Sequence, residues 1–140
     1  MEEEKSFSTW LQEVPERLRR DALWRSEYYR QAMYLYDLVW LDSLLLKSDF
    51  RAREIVSQLV RSAGSICANM EEAYGRGVGT RDYLRIMQIA LGEARETQGW
   101  YFRARHALPA DLLTRRLDVL NKLIASLVGT IAAHRRKLRT

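Results

Sequence analysis

The stretch Arg61-Ser-Ala-Gly-Ser-Ile-Cys-Ala-Asn-Met-Glu-Glu-Ala-Tyr-Gly-Arg76 decides the fold, because it sets polar groups into an apolar helical face. Together with the residues before it, Ile55, Leu59, Ser62, Ile66, Asn69 and Ala73 recur in steps of four and three and share one stripe. Val56, Val60, Ala63, Cys67, Met70 and Tyr74 form a second stripe beside it. Two adjoining stripes describe a helix buried over a wide arc, and the small residues Ala63, Gly64, Ser65 and Ala68 admit a close neighbour. Asn69 and Glu72 stand three apart on this helix. An unpaired buried amide costs roughly 2–7 kcal/mol, so partners for them are expected from across the fold.

Upstream, a first long helix is predicted from about residue 23 or 26 to residue 46. Ala32, Leu35, Val39 and Leu46 face one way, Tyr34, Leu38, Leu41 and Leu45 fall on an adjoining face, and Tyr36 and Trp40 widen the apolar surface again. In a small bundle such a second face is most simply covered by another subunit. Tyr34, Leu38, Leu41 and Leu45 are therefore the predicted homo-oligomer interface. Lys47-Ser-Asp-Phe50 reads as a loop in which Ser48 or Asp49 caps the second helix, over about 50–75.

Downstream, Gly75-Arg-Gly-Val-Gly79 ends that helix. A phosphate-binding loop is the rival reading, but no strand precedes the glycines and the Gly-Lys-Ser/Thr ending is absent, which favours a structural turn. Thr80 is predicted to cap a third helix reaching about Ala107, with Tyr83, Ile86, Met87, Ala90, Leu91, Ala94 and Tyr101 turned inward. Gly92 weakens this helix, which points to close packing there. Pro109 or Ala110 starts a last helix in which Leu113, Leu117, Leu120, Ile124, Leu127, Ile131 and His134 keep four-three steps, the mark of a bundle seam. Residues 1–22 supply a short leading helix, capped by Ser8 or Thr9, carrying Trp10, Leu11 and Val14, and interrupted at Pro15. The predicted fold is all-α: an antiparallel up-down-up-down four-helix bundle over residues 23–140 behind an N-terminal extension.

Composition narrows the function. The net charge of +5 over 140 residues is unevenly spread: residues 1–16 hold five Glu and one Lys, while residues 109–140 hold seven Lys or Arg and two Asp. A basic body with a basic tail is the electrostatic footprint of a polyanion binder, and a solvated, Arg-rich helix surface is the plainer alternative. The lone Cys67 lies on an apolar stripe and reads as a core hydrophobe in a reducing compartment. The acidic start is unlike a signal peptide and no apolar run is read as membrane-spanning, so a cytoplasmic protein without membrane contact is expected.

Catalytic chemistry finds little material. His106 and His134 sit in no metal-ligand spacing, and Ser62 and Ser65 lie in no nucleophile elbow, so neither a metal nor a cofactor is expected. Glu72 and Glu96 could form an acid/base pair. A structural polar cluster of Arg61, Asn69, Glu72 and Glu96 that fixes helix register is the preferred reading, and the chain is expected to be no enzyme. Nucleic-acid binding has better material. Arg81 and Arg85 open the third helix, Trp100-Tyr-Phe-Arg-Ala-Arg-His106 interleaves rings with Arg103 and Arg105, and the last helix adds Arg115, Arg116, Lys122, Arg135, Arg136, Lys137 and Arg139. Cations of this kind neutralise phosphates and the rings stack on unpaired bases, although Tyr101 reads as a core residue.

The assembled residues resemble a family signature, approximately Q-x-x-R-A-x-x-S-I-x-x-N-I-x-E-G-Y. Here it reads Gln58, Arg61, Ser62 for Ala, Ser65, Ile66, Asn69, Met70 for Ile, Glu72, Ala73 for Gly, and Tyr74. A second block, aromatic-x-x-x-x-x-A-x-G-S-x-x-E, corresponds to Tyr83, Ala90, Gly92, Glu93 for Ser, and Glu96. In these blocks the chain resembles the bacterial 23S rRNA intervening-sequence proteins over about residues 23–137. The resemblance implies a bundle that assembles as a ring-shaped homopentamer, with no established enzymatic activity. It also implies kinship with the accessory proteins of diversity-generating retroelements, basic pentamers that bind a reverse transcriptase and nucleic acid. The expected function is a nucleic-acid-associated scaffold for RNA or an RNA–protein complex; a protein-interaction scaffold without direct nucleic-acid binding is the alternative.

Overall fold

The computed structural model describes residues 3–140; Met1 and Glu2, part of the acidic start, lie outside the described residues. Among the described residues the secondary structure is all helical: α1 (Phe7–Glu13), α2 (Glu16–Arg19), α3 (Glu27–Leu46), α4 (Arg53–Gly75), α5 (Arg81–Arg103) and α6 (Ala110–Arg139). Short 3-10 turns at Ala22–Arg25 and Ala104–Ala107 lead into α3 and out of α5.

Local chemistry sets these boundaries. Thr80 Oγ1 accepts the Tyr83 amide at 3.1 Å and starts α5, as its place after the glycines predicts. Ahead of α4, Asp49 Oδ1 accepts the amides of Arg51 at 2.8 Å and Ala52 at 3.3 Å. The α4–α5 turn relies on Gly77 and Gly79, whose φ of 98° and 87° lie in the left-handed region. The leading helix differs from expectation in its cap. Ser6, and neither Ser8 nor Thr9, accepts the Thr9 amide at 3.2 Å, so α1 starts at Phe7, earlier than either expected cap allows.

The four long helices pack pairwise, α4 on α5 most extensively, then α5 on α6, α3 on α4 and α3 on α6. Leu35 and Val39 of α3, Leu59, Ile66 and Met70 of α4, Met87 and Ala94 of α5, and Leu120, Leu123 and Leu127 of α6 are buried in the shared core. Burial of each larger side chain contributes about 1.5–3 kcal/mol. Polar pairs mark the register. Thr97 donates to the Ser62 hydroxyl at 2.8 Å, Arg76 reaches Asp82 at 3.0 Å, and the hydroxyls of Tyr28 and Tyr83 meet at 3.0 Å.

Three expectations are corrected. Tyr34 and Leu38 are covered by the chain itself: Phe7 and Trp10 of α1 pack on the Tyr34 ring at 5.3 and 5.5 Å, and the Tyr34 hydroxyl donates to the Lys5 carbonyl at 2.5 Å. The leading segment is therefore a strap over α3. Gly92 faces open space, since an added Cβ would meet no atom within 4 Å, so close packing inside the chain does not require it. Finally, α6 is long and apolar enough, by length and composition, to cross a membrane. Three of its leucines, Leu120, Leu123 and Leu127, contribute to that apolarity and are fully buried in the core.

Candidate nucleic-acid interface

One end of the molecule, where the α3–α4 turn lies beside the last turn of α5, gathers cations and exposed rings. Phe50 is 75% exposed and carries the Arg51 guanidinium 5.7 Å from its ring centre. Phe102 is also exposed, and Arg105 lies 4.2 Å over its ring while donating to the Phe102 carbonyl. Arg103 covers Trp100 at 4.7 Å. A shallow cleft of about 120 Å³ joins the two segments, lined by Asp49, Arg51 and Ile55 on one side and by Arg103 and His106 on the other. Arg53 donates to the Lys47 carbonyl, and these two residues add two more cations to the turn. Asp49 is the acid in this group, and the Arg51 amide and side chain hold its carboxyl below the ordinary aspartate value. Guanidinium groups parked on ring faces cost little to move, so rings and charges alike are offered to a ligand.

The sequence places Arg103 and Arg105 here but passes over Lys47, Phe50, Arg51 and Arg53. These residues, three cations and one ring around Asp49, lie where the sequence shows a loop and the cap of the next helix. The remaining predicted cations scatter. Arg85 is paired with Asp82 at 2.9 Å, and Arg81 stands exposed at the start of α5, at the other end of the molecule. Arg115 bridges Glu4 at 3.1 Å and Asp111 at 3.0 Å. Lys122 lies on the exposed side of α6, and Arg135, Arg136, Lys137 and Arg139 are exposed near its end.

Arg116 is corrected outright. Its side chain is 1% exposed and donates to Asp42 at 2.7 and 2.9 Å and to Glu4 at 2.8 Å. Tyr101 donates to the same Asp42 at 2.7 Å, so three helices and the strap meet at one buried charge pair. Burial works against the guanidinium charge, but the hydrogen bonds to Asp42 and Glu4 outweigh it and raise the Arg116 pKa. The bond from Arg116, with that from Arg115, lowers Glu4 to about 2 against the opposing effect of desolvation. A sequence signal for this site existed. Asp42 continues the Leu35, Val39, Leu46 stripe, and Arg116 sits four residues before Leu120 in the seam, so both charges occupy core positions.

The predicted polar cluster divides. Arg61 pairs with Glu96 and reaches Glu93 at 3.5 Å, and desolvation, then the neighbouring Glu96, raises the Glu93 pKa. Asn69 turns back on its own helix, donating to the Ser65 carbonyl at 2.8 Å and hydroxyl at 3.0 Å. Glu72 is exposed and accepts from Arg76 at 2.8 Å, so it does not answer Asn69 or Glu96. The buried polar partner on α4 is instead Ser62. Desolvation, helped by Glu71, pushes the Cys67 thiol up to about 12, leaving it a protonated core residue.

The sequence profile of the family described as 23S rRNA-intervening sequence protein matches residues 25–126. The chain belongs to this family. A crystal structure of a protein of unknown function from the S23 ribosomal protein family of Bacteroides thetaiotaomicron has a similar fold, with a TM-score of 0.67 and 20% identity over 74% of this chain and 97% of that one. No curated protein matches the sequence. Within this member of the 23S rRNA-intervening sequence protein family, the matched segment contains the basic, ring-bearing end, Asp42 and Arg116. The strap and the basic end of α6 fall outside it.

Proposed function

We propose that this member of the family is a non-enzymatic, cytoplasmic, homo-oligomeric scaffold that associates with RNA through the end bearing Phe50, Arg51, Phe102 and Arg105. The observation that carries the reading is the pair of exposed phenylalanines, each beside a guanidinium. Exposed rings next to cations suit unpaired bases between phosphates, and a stacked base is worth about 1–3 kcal/mol. We read the four long helices as an up-down-up-down bundle in a domain of residues 23–140, because contacts such as Ser62–Thr97 and Arg76–Asp82 run in opposite senses along α4 and α5. A pentamer fits the family resemblance, and Trp40, Leu44 and Leu45 of α3 remain exposed for contacts between copies. The non-enzymatic reading is supported by the division of Glu72 and Glu96 between different arginines. Absence of membrane contact is supported by the buried leucines of α6.

The test is binding of the full chain to a structured ribosomal-type RNA and to duplex DNA, with the double variant Phe50→Ala/Phe102→Ala as comparison. Preferential RNA binding that weakens at least about tenfold in the variant is the expected result. Equal affinity of variant and wild type would remove this end from the interface. Absence of salt-sensitive RNA binding in the wild type would favour the protein-interaction scaffold instead.

A further inference from the structure

Between the strap and α3 lies an open groove of about 700 Å³. Its walls are rich in aromatic and apolar groups, Trp10, Trp24, Met33, Tyr36, Trp40 and Leu41 among them. Four lining residues are acids, Glu3, Glu4, Glu13 and Asp37, against one cation, Lys5. Trp40 is 62% exposed at the surface of this groove. Arg115 and Arg116 engage Glu4, Lys5 pairs with Glu13, and Asp37 accepts the Trp10 indole N–H at 2.7 Å. The balance remains acidic.

The opposite character occurs at the far end of α6. The His134 ring packs on Tyr83 at 5.1 Å and would meet a Cβ at Gly79 at 3.4 Å, which fixes α6 against the α4–α5 turn. Beyond it, Arg135, Arg136, Lys137, Leu138 and Arg139 continue the helix in solvent, with Leu138 40% exposed. This segment cannot reach its own groove. Arg116 of α6 lies at Asp42 of α3, while His134 lies at Tyr83, whose hydroxyl touches Tyr28 near the start of α3. Passing along α6 is thus passing back along α3, and residues 135–139 project past its beginning, away from the groove over Met33–Leu41.

We propose that the groove receives the basic end of α6 from a second copy of the chain. The five residues 135–139 span about 7 Å as a helix, within the roughly 12 Å of α3 that floors the groove. Their cations meet the acidic lining, a guanidinium can lie on the bare face of Trp40, and Leu138 enters among the apolar walls. The contact is heterologous: each copy offers a groove to one neighbour and a helix end to another, so repetition closes a ring or extends a filament. The inference rests on the homo-oligomer reading and adds the contact that would build the assembly. It also gives the tail a protein partner where the charge pattern alone suggests RNA.

The experiment measures assembly mass of the full chain by sedimentation velocity and light scattering at low and physiological salt. Two reversals are compared, one with Arg135, Arg136, Lys137 and Arg139 each changed to Glu, the other with Glu3→Lys and Glu13→Lys. Each reversal alone is expected to weaken self-association at least about tenfold, and an equimolar mixture is expected to restore a heavier species. Reversals that leave the mass of an oligomeric wild type unchanged, or a mixture that fails to rescue, would overturn this contact while keeping the oligomer. A monomeric wild type would overturn both. Because the groove variant alters a strap that packs on α3, a synthetic peptide of residues 130–140 is also titrated into wild type. It should shift tryptophan emission from the groove in a salt-sensitive way, and no shift would count against the proposal.

Discussion

Asp42 and Arg116 hold one another's charge in the core, with Glu4 and Tyr101 completing the set. Removing one partner of such a pair is far costlier than the pair is worth, because the other charge stays buried. Asp42→Ala is expected to lose about 3–5 kcal/mol in urea unfolding, and a loss under 1 kcal/mol would mean that Arg116 finds water or another acid. Glu4 allows a finer test. Its folded pKa of about 2 lies below the ordinary glutamate value of 4.5, so its stabilisation is complete above about pH 4.5 and disappears as pH falls through 2. The stability gap between wild type and Glu4→Gln should therefore be flat from neutral pH to about pH 5 and shrink toward pH 2. A gap that stays constant to pH 2 would contradict the latch. At this scale the sequence was least legible: an arginine at core spacing was read as a surface cation, and the aspartate that it meets was passed over. Periodicity records only that a position faces inward. Which distant charge meets it depends on how α3 and α6 pack.

At the level of elements, the long helices and their turns follow closely from four-three spacing, Thr80, Asp49 and the glycines of the α4–α5 turn. Those signals are local, and local hydrogen bonds and sterics decide them. The strap was legible only as a helix, because its role depends on what it covers. Tyr34 and Leu38, apolar and on a second face, were given to another subunit, whereas Phe7 and Trp10 of the same chain lie on Tyr34. Gly92 shows the same limit in reverse. Its open surroundings predict that Gly92→Ala stabilises α5 by roughly 0.4–1 kcal/mol, through the lower entropy of the unfolded chain and better helix propensity. Denaturant unfolding of the dilute protein checks this. Destabilisation instead would show that something outside the single chain packs on that backbone.

For the molecule as a whole, charge asymmetry was plain in the sequence, but its division between two ends was not. The folded chain separates a basic end with exposed phenylalanines, at the α3–α4 turn, from residues 135–139 at the end of α6, which carry cations but no ring. If RNA is held at the first, log affinity should fall linearly with log salt, with a slope near −0.7 for each phosphate neutralised on a single strand. Replacing Arg51, Arg53 and Arg105 by Ala should flatten that slope by up to about two. A slope unchanged by these substitutions would place the phosphates elsewhere on the surface.

The ionic contact between Glu4 and Arg115 and Arg116 also orders events in time. Its partners lie 111 and 112 residues apart, so a nascent chain carries an unclosed strap until the first turns of α6 have been synthesised. Until then the strap has its contacts with α3, Trp10 on Tyr34 and Asp37 among them, but lacks its ionic contact with α6, so its docking is complete only once the last helix has begun. In refolding, burial of Trp10 should accompany or follow α6 docking; burial that clearly precedes it would show that the strap settles on α3 without its latch.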